Sequence, residues 1–345
     1  LFIGIPRGYT AGKGAYTAQP LRTKLARLDY SGSVLLIITI LLFLLGLSGS
    51  QVLPLPLILS AIALPVFILN EIYIAKDPVI PITVLKSRGT LLTCLATVGF
   101  MMSRWTVLFY TPSYALAVRG WAPAVAGSIL IPTNAGFASG GILAGYFHIH
   151  RQGSFYTHAV VSMALFPITL LVLAFIATPE SSPVLLVVVV FLNGLVTGAS
   201  LNYTLVHLLH LTHSGVHPIV LSLLATFRGF AGSFGSAIGG GLFVRVLYRS
   251  LKDGFKEAGL KNRDKLIIRL LGSPATVNHL DGKEKEIAIS SYQAAFKALF
   301  LAGAVLAIVV VFVQAGAGWK EPAKPVEERT AEDEVQGEET LVAGS

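Results

Sequence analysis

Eight apolar runs, each about as long as a bilayer-crossing helix, dominate this chain. They occupy residues 31–47, 55–75, 91–117, 124–147, 156–177, 184–209, 218–244 and 294–315. Hydrocarbon offers no water to a backbone N–H or C=O, so each run must satisfy its own groups, as a helix does. The composition agrees. Hydrophobic residues make up 54% of the 345 and charged residues only 13%, against roughly a quarter charged in a soluble domain. Mean hydropathy is +0.71. The predicted fold class is an all-α integral membrane protein with eight transmembrane helices. The breakers "RGWAP", "TPESSP" and "SGVHP" fall in the short links between runs.

The formal net charge of +8 would suggest a nucleic-acid partner in a soluble protein. Here the basic residues gather in the connections, and there is neither zinc-finger spacing nor a basic–aromatic patch. The predicted surroundings are therefore a lipid bilayer, and no nucleic acid is expected. Residues 1–30, 76–88 and the loop holding Arg151 carry the Lys/Arg excess that marks a cytosolic side. Residues 246–291 fall on the opposite side and are basic too, against that rule. They read as a long non-cytosolic loop with one short amphipathic helix, "DKLIIRLLGS". Residues 316–345 read as an acidic, disordered cytosolic tail. Cys94 is the sole cysteine, so no intrachain disulfide forms. The chain opens on Leu1 with no signal-peptide pattern and reads as a fragment or a processed product.

Helical phase separates the faces of the runs. Asn193, Thr197, Ser200, Thr204 and His207 share one stripe, and Gly194, Gly198 and Asn202 another. Lipid tolerates neither, so one is expected on a neighbouring helix and one on a cavity. Thr93, Thr97, Arg104 and Thr111 share a face of the third run, where Pro112 predicts a kink. Gly127, Asn134, Ala138, Gly141 and Gly145 share a face of the fourth, where Pro132 predicts another. Arg228 lies about ten residues inside the seventh run, on the face of Gly232, Gly235 and Gly239. That is ~15 Å deep at the helical rise. A charge facing hydrocarbon costs at least about 2.5–3.5 kcal/mol, so Arg228 must face protein or an aqueous cavity.

The predicted cavity or gating residues are Arg104, Asn134, Asn193, Thr197, Ser200 and Arg228. Each arginine has a second reading, in which it bonds to carbonyls or Asn side chains and fixes helix packing. The predicted packing residues are Gly127, Pro132, Gly141, Gly194, Gly198, Gly232, Gly235 and Gly239. Glu71 is the only acid well inside an apolar run and is the candidate proton carrier. The competing reading has its carboxylate reaching the interface. His148, His150, His158, His207, His210, His213 and His217 fall on one predicted side, a set that raises the alternative of a histidine-based membrane metalloenzyme. No His–His pair occurs, and a helix C-terminus also favours His, so no metal and no cofactor is predicted. Phosphate loops, nucleophile elbows and His-Glu-x-x-His are absent as well. The chain is not expected to be an enzyme.

The segments "LDYSGSVLLI", "GWAPAVAGSILIPTNAGFASGGILAGY", "FLNGLVTGASLNY" and "ATFRGFAGSFGSAIGGG" resemble the second half of a fourteen-helix major facilitator transporter. The closest branch is the fungal drug:proton antiporters, which include vacuolar basic amino-acid transporters. The resemblance implies that residues 31–75 are two inserted helices and residues 91–315 the C-terminal six-helix bundle. It implies a secondary transporter for a drug-like solute or amino acid, coupled to protons, in the vacuolar or plasma membrane. It also implies a missing N-terminal half or a second chain as partner. The family's acidic, basic-loop and antiporter motifs lie in that half, so none is carried over. "HRQGSF" departs from the usual Gly-Arg turn. A non-transporting scaffold or half-transporter is the alternative.

Overall fold

A computed structural model describes residues 29–49, 51–75, 80, 85–147, 155–260 and 262–318. The described helices are α1 (Tyr30–Ser48), α2 (Pro54–Tyr73), α3 (Arg88–Ala117), α4 (Pro123–Ser128), α5 (Leu130–Phe147), α6 (Tyr156–Ile176), α7 (Pro183–His210), α8 (His217–Glu257), α9 (Asp264–Gly272) and α10 (Gly282–Ala315). Short 3₁₀ turns at Ser214–Val216 and Pro274–His279 join some of them. Among the described residues seven helices are long and apolar enough to cross a membrane: α1, α2, α3, α6, α7, α8 and α10. The fourth apolar run is divided between α4 and α5, with a turn at Ile129. Pro132 explains the break, because it offers no N–H to the carbonyl four residues earlier and its ring crowds that carbonyl. Pro112 has no such effect, and α3 continues past it to Ala117.

Helices α1 and α2 form a hairpin with Val34, Ile37, Leu41, Leu45 and Ile62 exposed, as lipid allows. Ser60 Oγ donates across the hairpin to Thr39 O at 2.9 Å. The hairpin docks on α8, where Arg245 Nη1 donates to Leu47 O at 3.0 Å and Gly49 O at 3.1 Å. The other spans pack in series: α5 on α7, α7 on α6, α6 on α10, and α10 on α8, with α3 packed against both α8 and α10.

Residues 246–291 form a folded cap rather than a long loop. Helix α8 runs thirteen residues past the predicted end of its span, to Glu257, and α10 starts at Gly282. The reason is a buried stripe, Phe243, Leu247, Leu251 and Phe255, which continues at four-residue spacing after the apolar run ends. It packs against Ala288, Tyr292 and Phe296 of α10. The amphipathic segment is α9, with Ile267 and Leu270 buried, and the Tyr292 hydroxyl donates to Leu270 O.

Candidate functional site

Arg104 sits midway along α3 and is 2% exposed. Its Nη1 donates to Asn193 Oδ1 of α7 at 2.7 Å, and its Nη2 to Thr133 O of α5 at 3.3 Å. Asn193 Nδ2 donates in turn to Thr169 Oγ1 of α6 at 2.8 Å. Arg104 thus ties α3 to α5 and α7, and Asn193 carries the network on to α6. A charge removed from water needs such acceptors, and these are neutral. The arrangement is a clamp.

Below the clamp runs a buried polar column. Thr97, Thr197, Ser200, Thr204 and His207 are all 0% exposed. Thr97 and Thr197 return their hydroxyls to Thr93 O and Asn193 O in their own helices, each at 2.7 Å. Gln314 Nε2 of α10 reaches Thr93 Oγ1 at 3.5 Å. The hydroxyls of Thr90, Ser200 and Thr204 have no partner among the described residues. His207 Nε2 lies 3.0 Å from Gly318 O, and the His217 ring caps the end of α7 at 3.0 Å from Leu209 O and Thr212 O. These contacts suit imidazoles at helix ends. Among the described residues no group of three or more His, Cys, Asp or Glu is placed to hold a metal. His148 and His150 lie outside the described residues.

The glycine stripe of α7 lies against α5. A Cβ at Gly194 would overlap Thr133 O, and one at Gly198 would overlap Phe137 O. The facing glycines are Gly136 and Gly140, whose added Cβ atoms would overlap Phe191 O and Leu195 O. Sequence phase instead selected the Gly127, Asn134 and Gly141 stripe of the same run. Much of that stripe faces away: Asn134 and Ala138 are exposed and a Cβ at Gly127 meets nothing within 4 Å, whereas one at Gly141 would stand 3.1 Å from Asn202 Nδ2 of α7. Asn134 is therefore not beside Arg104; Thr133 is. On α8, added Cβ atoms at Gly232, Gly235 and Gly239 meet Trp105 Nε1 at 3.2 Å, Met102 O at 2.8 Å and Thr106 Cγ2 at 3.0 Å, all on α3. Arg228, one turn before Gly232, is half-buried.

Glu71 is 4% exposed and accepts from the Ile80 N–H at 3.3 Å. Beside it Asp29 caps α1, taking the Gly32 N–H on Oδ1 at 2.8 Å and the Asn70 amide on Oδ2 at 3.1 Å. Burial raises the Asp29 pKa, but the Gly32 N–H, Ser31, Asn70 and Glu71 together bring it below the usual carboxylate range. Thr133, Thr169, Trp105, Gln314 and Asp29 were not singled out from the sequence. Only Asp29 had a local signal, a carboxylate just before an apolar run.

No family model matches the chain. Curated relatives do. It is 26% identical over 258 residues to the MFS transporter L2 of a Phoma species, covering 73% of this chain and 42% of that protein. It is 23% identical over 323 residues to the MFS-type transporter clz4 of Cochliobolus lunatus, covering 89% and 55%. A third, the MFS-type efflux pump LUC4 of a Fusarium species, is 30% identical over 158 residues, covering 43% and 28%. The chain is thus similar to transporters of the major facilitator superfamily. It spans about half the length of the first two relatives. The chain is an integral, multi-pass membrane protein, and the relatives it matches are named as transporters.

Proposed function

We propose that this chain supplies the C-terminal six-helix bundle, with two inserted helices before it, of a fourteen-helix secondary transporter. The transporter moves a small organic solute, drug-like or an amino acid, across the vacuolar or plasma membrane in exchange for protons. The observation that carries this reading is a pair of exposed faces with the wrong chemistry for lipid. On α8, Ser222, Ala225, Gly229, Ser233 and Ser236 form one exposed stripe; on α5, exposed Asn134 and Ala138 continue into Gly141 and Gly145. The lipid-type faces of α6 and α10 instead show Ile168, Phe175, Val305 and Phe312. Small and polar residues let a second bundle approach and line a watery path between bundles. The relatives, named as transporters and an efflux pump, support the same reading. Arg228, Asn193, Thr197 and Ser200 stand next to this path or behind it, and Arg104 holds the bundle's shape.

The test is solute efflux from vesicles carrying the native full-length protein, with and without a pH gradient. Gradient-driven efflux is the expected result, and Arg228→Ala is expected to abolish it at normal membrane abundance. A folded protein with no flux for any tested solute overturns the reading in favour of a scaffold.

A further inference from the structure

Three buried N–H donors on α3 and α8 meet no acceptor among the described residues: Arg228 Nε, Arg228 Nη2 and Trp105 Nε1. Buried donors without partners are rare in folded proteins, and each such group points to a missing partner. The Nε and Nη2 atoms form one edge of the guanidinium, the edge that matches the two oxygens of a carboxylate. Gly232 is one helical turn from Arg228, and a Cβ there would stand 3.2 Å from Trp105 Nε1. Along the same face of α8, toward Gly235 and Gly239, a cavity of about 230 Å³ opens between α3, α8 and α10. Its walls include Met102, Ile238, Leu299 and Leu306, with Ser103 and Thr106 the only hydroxyls.

We propose that Arg228 and Trp105 receive the carboxylate of an organic anion whose apolar body fills this slot. The proposal rests on the transporter reading and narrows its solute to an aromatic or aliphatic carboxylate. Guanidinium stays charged in a protein, so the site favours an anion over a cation of equal shape. Gly232 and Gly235 keep the α8 backbone close to Trp105 and Met102 of α3.

The experiment is equilibrium dialysis of radiolabelled benzoate and benzylamine against the native full-length protein in lipid nanodiscs. Benzoate is expected to bind at least about tenfold more tightly than benzylamine. Arg228→Gln is expected to weaken benzoate about tenfold or more, and Trp105→Phe, which keeps the ring but removes the N–H, about threefold. Arg228→Lys keeps the charge without the fork and is expected to fall between wild type and Arg228→Gln. Folding of each variant is read from protection of Cys94, which is buried, against a thiol-reactive dye. Equal binding of the two probes, or unchanged benzoate binding by folded Arg228→Gln or Arg228→Lys, overturns the site. Efflux of another solute without benzoate binding overturns the site and leaves the transporter reading standing. Benzoate binding without any flux supports the site and overturns that reading.

Discussion

At the residue scale, the clamp at Arg104 shows how a membrane protein tolerates an internal charge without an acid beside it. Its partners are an amide oxygen and a backbone carbonyl, and removing one leaves a buried cation short of an acceptor. Asn193→Ala is expected to destabilise the bundle by about 1–3 kcal/mol or more. It should lower the midpoint of a thermal melt followed by Cys94 labelling; an unchanged midpoint would mean that the Asn193 bond contributes nothing. Asp29 makes a different prediction. Its pKa lies below the usual range, so its contribution is fully present above the ordinary aspartate pKa of about 3.9 and is lost as pH falls through the lowered value. Wild type and Asp29→Ala should therefore differ by a constant amount between pH 5 and 8, about 0.5–2 kcal/mol for a lost cap. The gap should close only in stronger acid. Melts across that range check this, and a gap that narrows near pH 6 would assign the effect to another group.

At the element scale, the contact of α5 with α7 depends on four glycines at which backbone meets backbone. Any side chain at Gly198 must push Phe137 O aside, and a carbonyl in a helix cannot move alone. Gly198→Ala is expected to lose most folded protein in size-exclusion chromatography of a fluorescent fusion. Gly127→Ala, with open space around it, should stay within about 0.5 kcal/mol of wild type. Equal yields would show that α5 and α7 separate at little cost. The existence of both helices was legible in sequence, and so was the glycine stripe of α7. Its partner stripe was not. Run 124–147 has small residues on several faces, and phase alone ranks Gly127–Asn134–Gly141 as highly as Gly136–Gly140.

At the scale of the whole molecule, the bundle has two kinds of surface within the same membrane depth. One is Leu, Ile, Val and Phe; the other is the Ser, Ala, Gly and Asn of α8 and α5. Lipid distinguishes them little when a Ser becomes Leu, whereas a closing bundle distinguishes them sharply. Ser233→Leu with Asn134→Leu is expected to stop efflux at normal abundance and melting temperature. The control Val305→Ala, on a face of α10 that is 62% exposed, should transport normally. Normal efflux by the double variant would exclude close approach at this surface. The extension of α8 and α10 beyond the spans belongs to this scale as well. A hydropathy window misses it, because the charged Arg249, Lys252 and Asp253 lower the average while the buried stripe continues.

The sequence by itself determined that the chain lies in a bilayer, how many apolar segments it offers and where most of them start and stop. Those properties follow from local physics: twenty apolar residues, a helical period, and Pro or Gly at the ends. It also showed which residues lipid would reject, including Arg104, Arg228 and the polar stripe of α7. Tertiary structure alone decided what each of them does. Whether an internal arginine is satisfied depends on whether acceptors from other helices converge on it, as those of α5 and α7 do at Arg104, or leave buried donors unpaired, as at Arg228. That convergence joins residues 29 and 89 positions apart, a separation at which no period or spacing in the chain carries information.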